Sequence, residues 1–395
     1  MSETHKDRPY ELVVYGASGY TGRLVAEYLH NEYGGDLSWA MAGRSLDKLA
    51  SVRAEMGLPD SVDLIAADSS DPDSLEAMCR QAQAVITTVG PYQLYGEPLV
   101  KACVETGTDY VDLSGEPAWM RDMIDRYHEK ARQTGARIVH SCGFDSIPFD
   151  MGVYMLQREA KKAFGSPLSR VRGRVRKMQG KFSGGTAASL GQTLVRAKSE
   201  PHILDWLKDP FSLAGGFRGP KQPTGHKPVE ETDLGSWSAP FIMAAINTKN
   251  VHRSNALMDR AYGEDFTYDE MMFTGPGEKG EQAANFVAQA DPFGENPPKP
   301  GEGPTKEERD TGFYEVAFYG DNGDGTDRMV AVVTGDRDPG YGSTSKMIAE
   351  AALTLTRDVA RDVTPGGVYT PAPAMGDALI TRLEDHAGLT FEIES

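Results

Sequence analysis

Short apolar segments alternate with amphipathic segments along the first 140 or so residues of the chain. The amphipathic segments repeat apolar residues at helical spacing, and Ser, Asp, Pro or Gly marks their ends. This alternation is typical of a parallel sheet whose strands are joined by crossover helices, so we predict an α/β fold with a doubly wound sheet. The strands are predicted at residues 11–15, 38–42, 61–66, 84–88, 109–112 and 137–140. The helices are predicted at residues 21–32, 46–56, 72–81, 96–105 and 118–133.

The pattern changes beyond residue 143, where alternating segments become longer and Gly- and Pro-rich loops separate them. This texture predicts an α+β domain for substrate binding and dimerisation. Residues 209–236 and 275–312 are rich in Gly, Pro and charge, and we expect mobile loops or lids there, outside the core. From residue 343 to 362, apolar residues return to helical spacing. The predicted domains are residues 1–144 for cofactor binding, 145–342 for the α+β domain, and 343–395 for a C-terminal helix and tail that pack back on both.

The composition narrows the class of protein. At 395 residues, the chain exceeds the roughly 250–300 residues at which a single core stops growing, so two domains are expected. Its formal net charge of -17 argues against nucleic acid or an anionic membrane as a partner. Three cysteines without a C-x-x-C pair fit a reducing compartment, which makes the cytoplasm the expected location. No run of about 18 apolar residues occurs, so no membrane span is predicted.

A glycine-rich turn follows the first predicted strand. Its sequence is Gly16-Ala17-Ser18-Gly19-Tyr20-Thr21-Gly22, and a predicted helix comes directly after it. In this context Gly16 permits the tight turn, Gly19 lets the backbone approach a pyrophosphate, and Gly22 lets the helix pack close to the sheet. The helix N-terminus then directs free N–H groups at the anion. Such a turn alone would be weak evidence, but the strand before it and the helix after it predict a Rossmann dinucleotide site.

The end of the second predicted strand indicates which dinucleotide binds. NAD-binding sites place an Asp or Glu there for the ribose 2′-hydroxyl, whereas this strand ends in Ala-Gly followed by Arg44 and Ser45. Arg44 can pair with a 2′-phosphate and stack on adenine, so NADP(H) is predicted; the alternative is a solvated loop arginine. Asp68 ends the third strand and is expected at the adenine edge, although capping of the next helix explains it almost as well.

Three further loops follow predicted strands at the same edge of the sheet. After the fourth strand come Val89, Gly90 and Pro91, whose backbone is expected alongside the nicotinamide. Polar segments at residues 112–116 and 142–148 follow the fifth and sixth strands. Because the carboxyl ends of parallel strands open onto one crevice, these clusters are predicted to converge there.

Taken together, these motifs resemble the saccharopine dehydrogenase-like oxidoreductases, and within that family the trans-acting enoyl reductases. The resemblance is carried by residues 14–23, 42–44, 90–92, 95–96, 112–116, 141–148, 183–186, 240–243, 338–341 and 366–371. It implies a Rossmann domain, a second α/β domain, use of a pyridine nucleotide and a homodimer. Enoyl reductases of this branch reduce a double bond in long lipid chains, whereas saccharopine dehydrogenases form or cleave a secondary amine.

Hydride transfer needs the nicotinamide held beside an electrophilic carbon and usually an acid to supply a proton. The candidates on the predicted rim are Tyr92, Tyr95, Glu116 and Asp145. Each has an alternative role, namely helix capping for the two carboxylates and packing for the two tyrosines. No Tyr-x-x-x-Lys pair lies at the expected position, and Ser141 and Cys142 have no His and acid at recognisable spacing. The eight histidines are dispersed, so no metal site is predicted.

One predicted strand carries a row of arginines. Arg170, Arg172, Arg174 and Arg176 alternate along it and therefore share one face. An anionic substrate tail or an acidic acyl-carrier protein could bind this row. The alternative, which we favour, is a solvated face balanced by nearby carboxylates.

The sequence therefore predicts an NADPH-dependent reductase of an unsaturated or carbonyl-bearing small molecule or acyl chain. Reduction of a carbon–carbon double bond is the reaction that we favour. One alternative is an imine-forming amino-acid dehydrogenase. Another is a catalytically silent NADP-binding scaffold or redox sensor. Such a scaffold has no need of polar groups converging on the nicotinamide, so those groups favour an enzyme.

Overall fold

The computed structural model describes residues 5–180, 184–291 and 301–394. With strands numbered in chain order, the first sheet consists of β1 (Tyr10–Tyr15), β2 (Trp39–Gly43), β3 (Asp63–Ala66), β4 (Ala82–Thr87), β5 (Asp109–Val111), β6 (Arg137–Val139) and β13 (Gly367–Tyr369). Their spatial order is β3-β2-β1-β4-β5-β6-β13, and every neighbouring pair is parallel. The first six strands have the order of a doubly wound dinucleotide-binding fold, so the predicted α/β class is confirmed.

Helices connect these strands and cover the sheets. In chain order they are α1 (Tyr20–Tyr33), α2 (Leu46–Glu55), α3 (Pro72–Cys79), α4 (Tyr92–Tyr95), α5 (Glu97–Thr106), α6 (Pro117–Thr134), α7 (Ile147–Phe164), α8 (Gly184–Ser199), α9 (His202–Lys208), α10 (Ala244–Leu257), α11 (Gly277–Gln289), α12 (Lys306–Thr311), α13 (Thr344–Leu353) and α14 (Pro371–Arg382). Within the described ranges, no helix is long and apolar enough to cross a membrane.

The second sheet is mixed, as an α+β domain requires. Its strands are β7 (Arg170–Gln179), β8 (Val229–Glu231), β9 (Ser236–Pro240), β10 (Thr267–Gly275), β11 (Phe313–Asp321), β12 (Arg328–Gly335) and β14 (Leu389–Glu394). They lie in the order β14-β12-β11-β7-β10-β9-β8, with β7 and β10 parallel and the other neighbours antiparallel.

The C-terminal segment contributes to both sheets. It supplies β13 to the edge of the first sheet and β14 to the edge of the second, although the pattern of the first 140 residues had indicated a complete sheet without β13. Before these strands in the sequence, α13 occupies the predicted amphipathic stretch. Its apolar positions are buried throughout, at Met347, Ile348, Ala351, Ala352 and, one turn later, Leu355. The apolar interiors of the two sheets form one continuous cluster.

The two segments expected to be loops are partly ordered elements. Of residues 275–312, those at 292–300 lie outside the described ranges. The others contain α11 and α12, and residue 275 is the last residue of β10. Gly280, in the first turn of α11, packs so closely that a Cβ would lie 1.9 Å from the carbonyl oxygen of Gly275. Residues 209–236 include β8, and Phe211 and Leu213 are buried in the interior. Residues 209–228 form no helix or strand, as predicted, but the expectation that they lie outside the core was wrong. The loop prediction was wrong for α11 and α12, because few apolar positions anchor helices whose other residues are polar.

Candidate active site

The turn between β1 and α1 has the close packing that its glycines predict. Gly16 adopts a positive φ of 90°, and a Cβ on it would lie 2.7 Å from the Val89 side chain. A Cβ on Gly22 would lie 2.2 Å from the Gly16 carbonyl oxygen. Glycine is therefore required at both positions: at Gly16 by the backbone conformation, and at Gly22 by the approach of the helix to the turn.

The N-terminus of α1 is open to a ligand. Its N-cap is Gly19, with extended backbone, and no side chain caps the first turn. The first backbone N–H groups of a helix have no partner within the helix, and the helix dipole places positive potential on them. With Ala17, Ser18 and Thr21 completing the turn, this end of α1 can bind a pyrophosphate through its backbone.

The residues predicted for the adenosine end lie apart from this turn, after β2 and β3. Arg44 and Ser45 are exposed, and Ser45 caps α2 by accepting a hydrogen bond from the Lys48 amide (3.2 Å). Asp68 accepts from the amide and hydroxyl of Ser70 (both 2.9 Å), which lower its pKa together with nearby Arg44. The N-cap of α3 is Asp71, so the capping interpretation of Asp68 is wrong.

The predicted tyrosines occupy different environments. Tyr92 is buried, and its hydroxyl donates to the Thr87 carbonyl (3.2 Å) and accepts from the Leu113 amide (3.1 Å). Burial raises the pKa of Tyr92 well above its usual range, so the hydroxyl keeps its proton. Tyr95 is 45% exposed and does not line the cavity described below.

Glu116 is a fully engaged carboxylate. One oxygen accepts from the Tyr92 amide (2.8 Å) and the Ser189 hydroxyl (2.6 Å), and the other accepts from the Gln93 amide (2.8 Å). Burial outweighs these bonds and raises its pKa. Its side chain does not cap α6, the helix that follows it, but binds the start of α4. The expectation that it caps the following helix is therefore wrong.

Asp145 differs from Glu116 in having no partner. Within the described residues its carboxyl group makes no hydrogen bond and no ion pair, although it lines the cavity. Burial raises its pKa to about 6. The N-cap of α7 is Ser146, without any side-chain capping bond, so the capping interpretation of Asp145 is wrong. Asp145 is thus available to a bound molecule.

Asp112 holds the loops that follow β5 and β6 through its buried carboxylate. It was not among the predicted site residues. Asp112 accepts from the amides of Ser114 and Ser141 (both 2.9 Å), and its other oxygen lies 2.7 Å from Nδ1 of His140. Ser141 adopts a positive φ of 63°, and its hydroxyl donates to the Ser114 carbonyl (2.6 Å). These bonds fix the ends of β5 and β6 beside Asp145.

A cavity of about 350 Å³ lies where these loops meet. The first half of the chain contributes, among others, Gly19, Tyr20, Thr21, Gly90, Tyr92, Gly143 and Asp145. The part of the chain beyond residue 144 closes the cavity with residues that include Met178, Phe241, Ile242, Met243, Ile246, Tyr341 and Thr344. The rings of Tyr20 and Tyr341 contact edge to face at 4.8 Å between centroids, which joins the glycine-rich turn to the opposite wall. Residues 240–243 and 338–341 were among the segments that carry the family resemblance. The hydrophobic pattern alone did not predict that they line the site.

Comparison with known proteins decides the family. A Mycobacterium tuberculosis protein, provisionally named a trans-acting enoyl reductase, is 42% identical over an alignment of 409 positions that covers 96% of this chain and 96% of its own. The trans-acting enoyl reductase of Mycobacterium ulcerans is 38% identical over 95% of this chain and 96% of its own. The chain belongs to the trans-acting enoyl reductase branch of the saccharopine dehydrogenase-like oxidoreductases.

Two further findings agree with this membership. Residues 12–139 match the family model of the saccharopine dehydrogenase NADP-binding domain. A solved saccharopine dehydrogenase (L-Glu forming) from Saccharomyces cerevisiae covers 98% of this chain and 99% of its own at a TM-score of 0.51. With 14% identity, that likeness shows a shared fold. The chain is thus an oxidoreductase with NADP(H) as its cofactor, and the open α1 N-terminus fits a dinucleotide.

The arginine row of this oxidoreductase is not a binding surface for an anionic tail. Arg172 and Arg174 are buried, and both pair with Glu231 (3.2 and 2.6 Å). Asp233 and Asp269 complete the pairing of these two guanidinium groups. The favoured prediction that carboxylates balance the charge of the row is therefore confirmed. The expectation of a solvated face was wrong for the middle of the row, which is buried.

Proposed function

We propose that this protein reduces the carbon–carbon double bond of an enoyl substrate with NADPH. The observation that carries the proposal is the carboxyl group of Asp145, which has no partner among the described residues. It lies in a cavity that also contains the open end of α1 and the backbone of Gly90. The names of the relatives, which are enoyl reductases at 38–42% identity over nearly the full chain, support the same reaction.

Each part of the cavity has a distinct task in this proposal. When bound, NADPH supplies a hydride to the β carbon of the enoyl group, and a proton at the α carbon completes the reduction. The α1 N-terminus and the glycine-rich turn hold the pyrophosphate, and Arg44 pairs with the 2′-phosphate. Apolar side chains of the second half, such as Phe241 and Ile246, exclude water. Asp145 donates the proton, because a pKa of about 6 leaves part of the carboxyl groups protonated near neutral pH.

The test is NADPH oxidation with a short 2-enoyl thioester, measured for wild type and Asp145→Asn. We expect the substitution to lower kcat by about 10²–10⁴-fold, the usual contribution of a general acid. For the wild type, kcat/KM should fall as pH rises through about 6, because the donor must be protonated and burial raises its pKa to that value. The variant should lack this fall.

Asp73→Asn is the matched control, because Asp73 is exposed in the first turn of α3, away from the cavity. It should behave as the wild type. Unchanged turnover in Asp145→Asn would rule out the proton-donor role. If the wild type binds NADPH but never consumes it with any enoyl thioester, enoyl reduction itself is wrong and the silent scaffold becomes the better account.

Three finer expectations have separate origins: the location comes from the cysteine content, the homodimer from the family resemblance, and the acyl-carrier protein from the proposed acyl-chain substrate. We propose that the protein acts in the cytoplasm, assembles as a homodimer and receives lipid chains from an acyl-carrier protein. Sedimentation of the purified chain tests the dimer, and comparing a carrier-bound enoyl chain with the free thioester as substrate tests the carrier.

A further inference from the structure

A second cavity lies beside the first and is larger, at about 880 Å³. The two cavities share part of their lining, namely Met178, Leu207, Phe241, Ile242 and Ala245. Much of the remaining lining is apolar and includes Phe211, Met272 and Phe286, the last of which is 74% exposed. A chain that passes Met178 and Ile242 would therefore enter an apolar space, large enough for many more carbon atoms than the first cavity holds.

The second cavity also contains a buried cation. Lys249 lies on α10 one turn after Ala245, about 6 Å further along the helix axis, and lines the cavity with only 4% of its surface exposed. Within the described ranges, its ammonium group makes no hydrogen bond and no ion pair. Burial lowers the pKa of Lys249 to about 8, which leaves most of the amine charged near neutral pH.

The neighbours of Lys249 do not neutralise it. Asp209 is close enough to attract the amine, but its carboxylate is bound by Arg218 (2.7 Å) and by the Phe211 amide (3.0 Å). Burial lowers the pKa of His252 to about 3, so that ring is neutral. A buried charge is costly unless it is paired, which indicates that an anion from outside the chain completes this site.

The rim of the second cavity is positively charged, like Lys249. Lys208 and Lys221 line it and are exposed, and neither forms an ion pair within the part of the chain that the structure describes. The acidic lining residues are engaged elsewhere: Asp269 pairs with Arg174 (2.8 Å), and Glu270 accepts from the Tyr268 hydroxyl (2.8 Å). In a chain with a net charge of -17, this is a local concentration of free positive charge.

We propose that the second cavity binds a long apolar chain that carries an anionic group, a carboxylate or a phosphate, with the anion on Lys249. The anion site rests on the proposed function in its choice of ligand. If the protein reduces an enoyl chain, the ligand of the second cavity is the part of that substrate remote from the double bond. Lys249 is a positioning residue for that substrate, since it lies outside the cavity that contains Asp145.

The test measures binding of saturated ligands, so it does not depend on turnover. Decanoate, decyl phosphate and decanol are titrated calorimetrically into the full-length protein with NADPH present. We expect the wild type to bind at least one of the two anions at least tenfold more tightly than decanol. Lys249→Met should abolish that preference and leave decanol binding unchanged, whereas Lys249→Arg should retain it. Comparison of decanoate with decyl phosphate shows which anion the site takes.

Lys161→Met is the control, because Lys161 is exposed near the end of α7. Met matches the length of Lys, and an unchanged NADPH-induced thermal shift shows that each variant is folded. Equal binding of decanol and both anions by the wild type, or an anion preference that survives in Lys249→Met, overturns the proposal. Failure of enoyl reduction leaves anion binding measurable, so the two hypotheses can fail separately.

Discussion

At the scale of single residues, the glycine-rich turn gives the sharpest prediction. Gly22→Ala places a Cβ 2.2 Å from the Gly16 carbonyl oxygen and 2.8 Å from the Ala17 Cα, and backbone cannot move away as a flexible side chain could. We expect Gly22→Ala to destabilise the fold by about 1–3 kcal/mol and to weaken NADPH binding at least tenfold. Gly35→Ala, just beyond α1, is the matched control because nothing lies within 4 Å of its added Cβ. Fluorescence titration and thermal unfolding measure both effects; equal behaviour of the two variants would contradict the argument.

A second residue-scale prediction concerns the choice of dinucleotide. Arg44 is exposed after β2, where a carboxylate would select NAD, and its guanidinium group can pair with a 2′-phosphate. Arg44→Ala should weaken NADPH binding by about tenfold or more and leave NADH binding nearly unchanged. Arg80→Ala removes another exposed arginine, which pairs with Glu76 at the surface, and should change neither affinity. An unchanged preference for NADPH in Arg44→Ala would exclude the phosphate-binding role.

The sequence identified the turn residues more sharply than the acid residues, for a physical reason. Gly22 is required by the backbone of Gly16 and Ala17, a few residues away, and Gly16 by its own positive φ in the turn, so local spacing reveals both. Glu116 and Asp145 had the same local appearance, since each precedes a helix that begins with a nearby proline. What separates them is tertiary: Glu116 meets the start of α4 and Ser189, whereas Asp145 meets the cavity.

At the scale of elements, strands β1 to β6 were predictable because each is a short apolar run bounded by turn residues. β13 was missed because it has three residues and pairs with β6 across more than 220 positions of sequence. α11 was missed because a single apolar side chain, Ala284, is buried along it, which leaves little helical periodicity to read. In both cases the decisive contacts are distant in sequence.

The contacts of Glu116 indicate that the position of α4 depends on this one side chain. Its carboxylate joins α4, the start of α6 and Ser189 of α8 through acceptor positions only. Glu116→Gln puts an NH₂ group opposite a backbone donor, so we expect a loss of about 1–3 kcal/mol in the free energy of unfolding. NADPH affinity should fall as well, because α4 directly follows Gly90 and Pro91. Glu97→Gln, at a partly exposed ion pair with Arg126, should cost less than about 1 kcal/mol in chemical denaturation. Similar losses of unfolding free energy in both variants would show that Glu116 does not hold α4 in place.

At the scale of the whole molecule, the two sheets are held as one body around the cavity. Their apolar interiors are continuous, and the C-terminal segment adds one strand to each sheet. Polar contacts join the same parts: Asp150 of α7 accepts from Ser254 of α10 (2.6 Å) and from the Ala372 amide at the start of α14 (2.8 Å). The cavity walls are therefore fixed by contacts between segments far apart in the sequence.

Asp150 makes the stability of this junction depend on pH. Burial raises its pKa from 3.8 to about 7, so its protonated form is favoured in the folded protein. The stability that it contributes is fully present below about pH 4 and is lost as pH rises through about 7. Nearby Cys142 and Tyr262 have pKa values raised well above their usual range. Both therefore stay uncharged over the pH range in which Asp150 titrates.

Asp150→Asn imitates the protonated side chain at every pH and isolates this contribution. The variant should gain stability over the wild type by about 3 kcal/mol between roughly pH 5 and pH 8, because the difference grows by about 1.4 kcal/mol per pH unit until pH reaches the folded pKa of about 7. Other titrating groups are common to both proteins and cancel in the difference between their unfolding free energies, measured by chemical denaturation at each pH. A difference that stays constant across this range would mean that Asp150 is already ionised in the folded junction. The amides and hydroxyls around it would then be stabilising a buried charge.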